Sequence, residues 1–169
     1  MSPQDTVKDI FARAADPLVA TDLAKQAEIS KQVDFGSLAK GALGDEAKKL
    51  STKELAWFGD TLMKIITLTV YPKAPDFLKD VKIEYGSDAQ TDELFQVHST
   101  VQNKSDLTDV VYFLKKESGQ GWRVVDISLS GNQWTSVIHD EVMDVLRKKK
   151  WKGLKEAMEK RLHTLQQKT

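Results

Sequence analysis

The sequence predicts an α+β fold. Three observations carry this: helical spacing of apolar residues through the first half, alternation with period two through Val81–Leu129, and two further helical stripes after Gly131. Four sequential strands with short turns form an antiparallel meander most economically. A strongly twisted four-stranded sheet wrapped by N- and C-terminal helices is a cone, and its apolar interior is where a pocket would lie.

From the N-terminus, Val7, Ile10, Phe11 and Ala14 share one face of a helix over Pro3 to Ala14, with Pro3 suited to the first turn. Pro17 interrupts it, and the Ala- and Lys-rich stretch Leu18 to Gln32 reads as a second helix. Asp34 is placed to cap a short helix through Leu38, which Gly41 or Gly44 would end. Ser51-Thr52-Lys53-Glu54 has capping-box spacing and opens the longest apolar helix. Leu55, Phe58, Leu62, Ile65, Ile66 and Thr69 form its stripe, and Trp57, Met63, Leu68 and Val70 widen it until Tyr71-Pro72 and Ala74-Pro75 end it.

Val81, Ile83 and Tyr85 alternate with Lys82 and Glu84 as the first strand. The second, from Glu93 to Val101, sets Phe95, Val97, Ser99 and Val101 against Leu94, Gln96, His98 and Thr100. Turns at Asn103–Asp106 and Ser118–Gly121 bound a third strand over Leu107 to Lys116, and Trp122 to Leu129 is the fourth. Two helices close the chain. Trp134, Ile138, Val142, Val145 and Leu146 mark Asn132 to Lys149; Leu154, Ala157, Met158, Leu162 and Leu165 mark Trp151 to Gln167.

With 169 residues and no shift in composition, residues 1–169 read as a single domain, large enough to bury roughly 70% of its unfolded surface. The 25 basic and 25 acidic side chains balance, which removes the electrostatic basis for a nucleic-acid partner. The absence of cysteine excludes disulfides, thiolate catalysis and cysteine-ligated zinc. No apolar run is long enough to span a membrane. Met1-Ser2-Pro3-Gln4 lacks the basic and apolar regions of a signal peptide, which fits either a cytoplasmic protein or a mature form with a replacement methionine.

Signatures of chemistry are sparse. His98, His139 and His163 have no ligand spacing between them and read as surface or hydrogen-bonded histidines, so no metal site is expected. Asp126 is the one acid in the apolar strand Trp122–Leu129. It is either a general base of raised pKa or, as we favour, an acceptor for backbone donors of a nearby turn. No nucleophile elbow or phosphate-binding glycine loop occurs. The run Arg147-Lys148-Lys149-Lys150-Trp151-Lys152 either complements a helix C-terminus or meets anionic lipid head groups or an acidic partner. The girth of the long helix reflects two-sided core packing, or one side lines a cavity. A dry interior of Leu, Ile, Val, Phe and Trp accepts acyl chains at about 0.8 kcal/mol per buried methylene, with no catalytic signature needed.

Several segments resemble, in order, the periplasmic phospholipid-carrier component of the Mla system, also called the toluene-tolerance auxiliary family of ABC lipid transport. Val33-Asp34-Phe35 resembles its V-D-F helix entry, and Ala42-Leu43-Gly44 its L-G turn. Leu50–Glu54 followed by Phe58 is similar to its S-x-E-Q…F helix, and Trp122-x-Val124-x-Asp126 with Gly131 to its last strand and turn. Gly153-Leu154 stands where its closing helix begins, so the resemblance covers about Val33 to Leu165. Two features depart from the family: Ser130 replaces the glutamate before the turn glycine, and the Tyr-Arg pair of the following helix is absent around Ile138-His139.

The resemblance implies an NTF2-like cone and a periplasmic, non-enzymatic shuttle that sequesters phospholipid tails and needs no cofactor. It implies an inner-membrane ABC transporter complex and an outer-membrane lipoprotein complex as partners, and hence a part in outer-membrane lipid asymmetry. The candidate tail-contacting residues are Leu62, Ile65, Ile66, Phe95, Val97, Val111, Phe113, Val125, Ile127, Trp134 and Ile138. A polar or bulky residue at Ile66 or Val97 is then expected to abolish lipid retention while the fold survives. Two rivals remain: an NTF2-like isomerase or dehydratase using Asp126 with Tyr112 or His98, and a plain protein-interaction module with a solid core.

Overall fold

The computed structural model describes residues 1–168; the expected domain 1–169 ends on Thr169, which lies outside the described residues. Two compact units emerge, each built from separated segments: residues 1–34 with 71–134, and residues 35–70 with 135–169.

The first unit opens with α1 (Pro3–Ala14), whose start is a capping box: Ser2 Oγ accepts from Asp5 N at 3.0 Å and Asp5 accepts from Ser2 N at 3.3 Å. The helix expected over Leu18–Gln32 is instead a 3₁₀ turn (Pro17–Ala20) and a shorter α2 (Leu23–Ser30). The physical reason is a pair of aspartates. Asp16 accepts from Leu18 N, and Asp22 accepts from Ala24 N and Lys25 N, so each side chain begins its own helix. A five-residue α5 (Ala74–Leu78) follows Tyr71 where the sequence suggests only a stop. Ala14, Val19, Ile29, Tyr71 and Ala74 are buried together, and the Tyr71 hydroxyl lies 2.8 Å from Ser30 Oγ.

The sheet is antiparallel and has six strands: β1 (Val81–Tyr85), β2 (Ala89–Thr91), β3 (Leu94–Asn103), β4 (Asp106–Glu117), β5 (Gly121–Leu129) and β6 (Asn132–Gln133). The expectation of four strands is corrected by β2 and β6. Strands of three and two exposed residues are too short to show alternation and are recognised by their backbone pairing to β3 and β5. The order is β1-β3-β4-β5-β6, with β2 sharing the β3 edge: β1 pairs with Ser99–Asn103 and β2 with Leu94–Gln96.

One face of the sheet packs on α1. Val97, Val101, Val110, Tyr112, Leu114 and Val124 are buried with Val7, and Ile10 and Phe11 pack against them. Phe11 meets Tyr112 edge-to-face at 5.6 Å. The far side of β5 is tied to the chain after α2. Asp34 N donates to Val124 O and Val124 N to Gln32 O, while Arg123 donates to Lys31 O, Val33 O and Glu117 Oε2 at 3.0–3.1 Å.

The second unit contains α3 (Phe35–Leu43), a 3₁₀ stretch (Gly44–Lys49), α4 (Thr52–Val70) and most of α6 (Trp134–Gln167). α3 runs five residues beyond Leu38, and Gly44, at φ +58°, takes over where it ends. The capping box of α4 forms as its spacing predicts, Glu54 N donating to Ser51 Oγ at 3.1 Å and Ser51 N to Glu54 Oε1 at 3.0 Å. Lys150 breaks α6 with φ 62° and ψ −175°, giving a helix on either side as expected, although the first begins at Trp134 rather than Asn132 because Asn132 and Gln133 pair with β5. Leu38, Ala39, Ala42, Leu43, Phe58, Leu62, Val142, Leu154, Met158 and Leu165 are buried. Trp151 packs on Trp57 and Phe58, at 5.9 and 6.4 Å.

Candidate functional site

The register sorts the sheet's candidate residues onto two faces. Val97 pairs with Tyr112, Tyr112 with Ile127 and Phe95 with Leu114, so Phe95, Val97 and Ile127 belong to the face that packs on α1. Val97 is completely buried there. Val111 and Phe113 point the other way, beside His98 and Gln96 of β3 and Ser128 and Asp126 of β5. Val125 is the extra residue of a β-bulge, since Phe113 pairs with Asp126 and Leu114 with Val124. The bulge lets Val124 and Ile127, three residues apart, share the face that packs on α1, with Asp126 on the other face.

This second face is mixed in chemistry. Val111 and Phe113 are half-buried, whereas Asp126 and Ser128 are 8% and 6% exposed. Asp126 Oδ1 accepts from Ile127 N at 2.9 Å and Oδ2 from Gln133 Nε2 at 3.2 Å. The carboxylate thus accepts hydrogen bonds, but the backbone donor is the next residue of its own strand and the other donor is a side chain of β6, where the sequence suggests backbone donors of a neighbouring turn or helix start. Gln133 was not legible as its partner, because the two-residue strand carrying it has no pattern of its own.

Of the residues named as an acid–base set, the sheet separates Tyr112 from Asp126. His98 shares the Asp126 face, but Tyr112 projects into the α1 core, where burial raises its pKa well above the ordinary phenol value. Ser99 Oγ donates to Val110 O at 3.0 Å and lies 3.5 Å from the Tyr112 hydroxyl. His139 Nδ1 donates to Ala42 O at 2.9 Å, and His163 Nε2 lies 3.0 Å from Gln167 Nε2. No group of three His, Asp or Glu side chains suited to a metal ion occurs among the described residues.

In the second unit, α4 carries more apolar surface than its packing consumes. Phe58 and Leu62 are buried, whereas Leu55, Trp57, Met63, Ile65, Ile66 and Leu68 are only half-buried. Ile138 of α6 is also half-buried, as is Trp134 in the first unit. A helix with apolar side chains around most of its girth and partial cover presents surface that an apolar ligand can complete. An open groove of about 510 Å³ runs along α6 in this unit, lined by Lys149, Gly153, Glu156, Ala157, Lys160, Arg161 and Thr164.

No described helix is long and apolar enough to cross a membrane. No curated protein sequence matches the chain. Among solved structures, it is similar to the phospholipid-binding protein from Ralstonia solanacearum in complex with a phospholipid. That match has a TM-score of 0.79 at 21% identity and covers 96% of this chain and 95% of the other. The model of the family described as MlaC protein matches residues 5–160, through both units. The chain therefore belongs to the MlaC protein family.

Proposed function

We propose that this protein is a soluble phospholipid-binding carrier that holds acyl tails against apolar side chains and performs no chemistry. The observation that carries the reading is the surplus apolar surface of α4, with Met63, Ile65, Ile66 and Leu68 half-buried, in a chain of the MlaC family. The phospholipid held by the Ralstonia protein of similar fold supports it. In the second unit, Ile65, Ile66 and Ile138 are the tail-contacting candidates that packing leaves part-exposed, while Leu62 is buried. In the first, Val111 and Phe113 are those that the α1 core leaves available, while Phe95, Val97 and Ile127 serve that core. Because the family match runs through both units, we take residues 1–169 as one carrier. We further propose a periplasmic location and an NTF2-like cone. The lipid would pass between an inner-membrane ABC transporter complex and an outer-membrane lipoprotein complex.

Native mass spectrometry of the purified protein, followed by solvent extraction, tests the reading. A bound diacyl phospholipid at near-unit occupancy is expected; an apo mass that persists after incubation with phospholipid vesicles overturns it. Ile66→Asp is the informative variant. A carboxylate buried against acyl chains costs about 3 kcal/mol, roughly a hundredfold in affinity, so lipid should be lost while the fold survives. Undiminished lipid in a folded Ile66→Asp protein would move the site away from α4. Val97 does not serve the same purpose: it is fully buried beneath α1, and a polar residue there disrupts the core itself.

A further inference from the structure

We propose that the corner of α6 is a docking surface for anionic lipid bilayers. Residues 147–161 carry eight cations (Arg147, Lys148, Lys149, Lys150, Lys152, Lys155, Lys160 and Arg161) against two acids, Glu156 and Glu159, in a chain whose total charge is zero. The positive charge is therefore local, and its counterpart is spread over the rest of the molecule.

Helix ends explain only part of it. Arg147, Lys148 and Lys149 sit in the last turn before Lys150, where cations complement the helix dipole, and Arg147 and Lys148 share Asp144 at 3.8 and 3.2 Å. Lys155 lies over the Trp57 ring. Lys149, Lys150, Lys152, Lys160 and Arg161 are exposed and form no ion pair among the described residues. Three of the eight cations also edge the groove: Lys149 at one end and Lys160 with Arg161 further along, with Gly153 and Ala157 leaving its floor low.

The backbone gives a second, independent observation. Lys150 occupies φ 62°, ψ −175°, a region essentially reserved for glycine. Folding alone would favour glycine at this corner, so the lysine contributes something other than stability there. What it adds is charge at the vertex.

The chemistry of the patch selects the partner. Six of the eight cations are lysines, compact point charges suited to a phosphate-dense surface, whereas paired recognition of carboxylates favours the arginine fork. Protein interfaces are depleted in lysine and need buried aromatic anchors. The one aromatic in the run, Trp151, is turned inward onto Trp57 and Phe58. The surface therefore fits electrostatic contact with lipid head groups rather than insertion or an acidic protein. It stands independently of lipid carriage, since it uses none of the candidate tail-contacting residues.

The test is co-sedimentation of the intact protein with vesicles of phosphatidylcholine, with or without phosphatidylglycerol. Binding to the anionic vesicles, weakening as salt rises, is expected. The triple variant Lys149→Gln, Lys152→Gln, Lys160→Gln should bind about a hundredfold more weakly, at about fivefold per lysine. A control triple, Lys73→Gln, Lys79→Gln, Lys82→Gln, removes the same charge elsewhere and should bind nearly as wild type. No binding to anionic vesicles overturns the proposal and leaves the cations to an acidic protein or to solubility. Equal weakening in both triples also overturns it, because total charge rather than this corner would then be responsible. Lipid occupancy measured on the same samples separates failure of docking from failure of the carrier reading.

Discussion

Tyr112 shows what one buried side chain does to the whole stability curve. Its ring fills the sheet–α1 core against Phe11, and burial holds its hydroxyl neutral to a pH well above the ordinary phenol range. A raised folded pKa contributes stability that is complete below the unfolded value of about 10 and is lost as pH climbs towards the folded one. Tyr71 and Tyr85 are shifted in the same direction by burial. The melting temperature should therefore fall as pH rises above about 10, and Tyr112→Phe should fall less steeply. At neutral pH the variant should melt close to wild type, since Ser99 keeps its acceptor on Val110 O. Parallel alkaline slopes for the two proteins would show that Tyr112 ionises as freely folded as unfolded. At this scale the sequence reveals residue type and alternation. It identified Asp126 as an acid needing donors, but not that Gln133 supplies one, because that contact depends on a two-residue strand.

Among the elements, α6 explains its own break. At about 100° per residue, Val142 and Met158 would lie roughly 160° apart on a continuous helix, yet both are buried. The two stripes can face one core only if the chain turns between them, and Lys150 makes that turn. Gly153 permits it, since a Cβ there would collide with Lys149 Cβ. The Lys150 backbone costs about 1–3 kcal/mol, and glycine would return part of this in unfolded-state entropy. Lys150→Gly should therefore stabilise by about 1 kcal/mol, raising the melting temperature by about 2–4 °C. Gly153→Ala should lower it. A melting temperature that falls in Lys150→Gly would mean that the corner is not formed in solution as described. The opposed stripes were readable beforehand, and so was the boundary within the charge run. The brevity of β2, β6 and α5 was not, because elements of two to five residues hold no full period. Nor was the bulge at Val125, on which the facing of Asp126 and Ile127 depends.

For the whole molecule, the decisive feature is that neither compact unit is a continuous stretch of chain. Local periodicity exposes helices and strands but not which distant segment completes which core. This is why the fold class was legible while the candidate tail contacts fall on both faces of the sheet and on helices of the other unit. The same discontinuity yields a test. The second unit needs residues 135–169 to cover α3 and α4: Trp151 packs on Phe58 and Trp57, His139 supplies the donor for Ala42 O, and Thr135 lies against Gly41. Phe58 is fully buried in the intact chain, and uncovering such a ring forfeits about 2–3 kcal/mol, more than a short helical pair can spare. A chain ending at Trp134 should lose protection from amide hydrogen exchange throughout Thr52–Val70. β3, β4 and β5 should keep theirs, because Val7, Val97, Tyr112, Leu114 and Val124 retain one another. Persistent protection of α4 in that truncated chain would show that the first segment of the unit folds without the second.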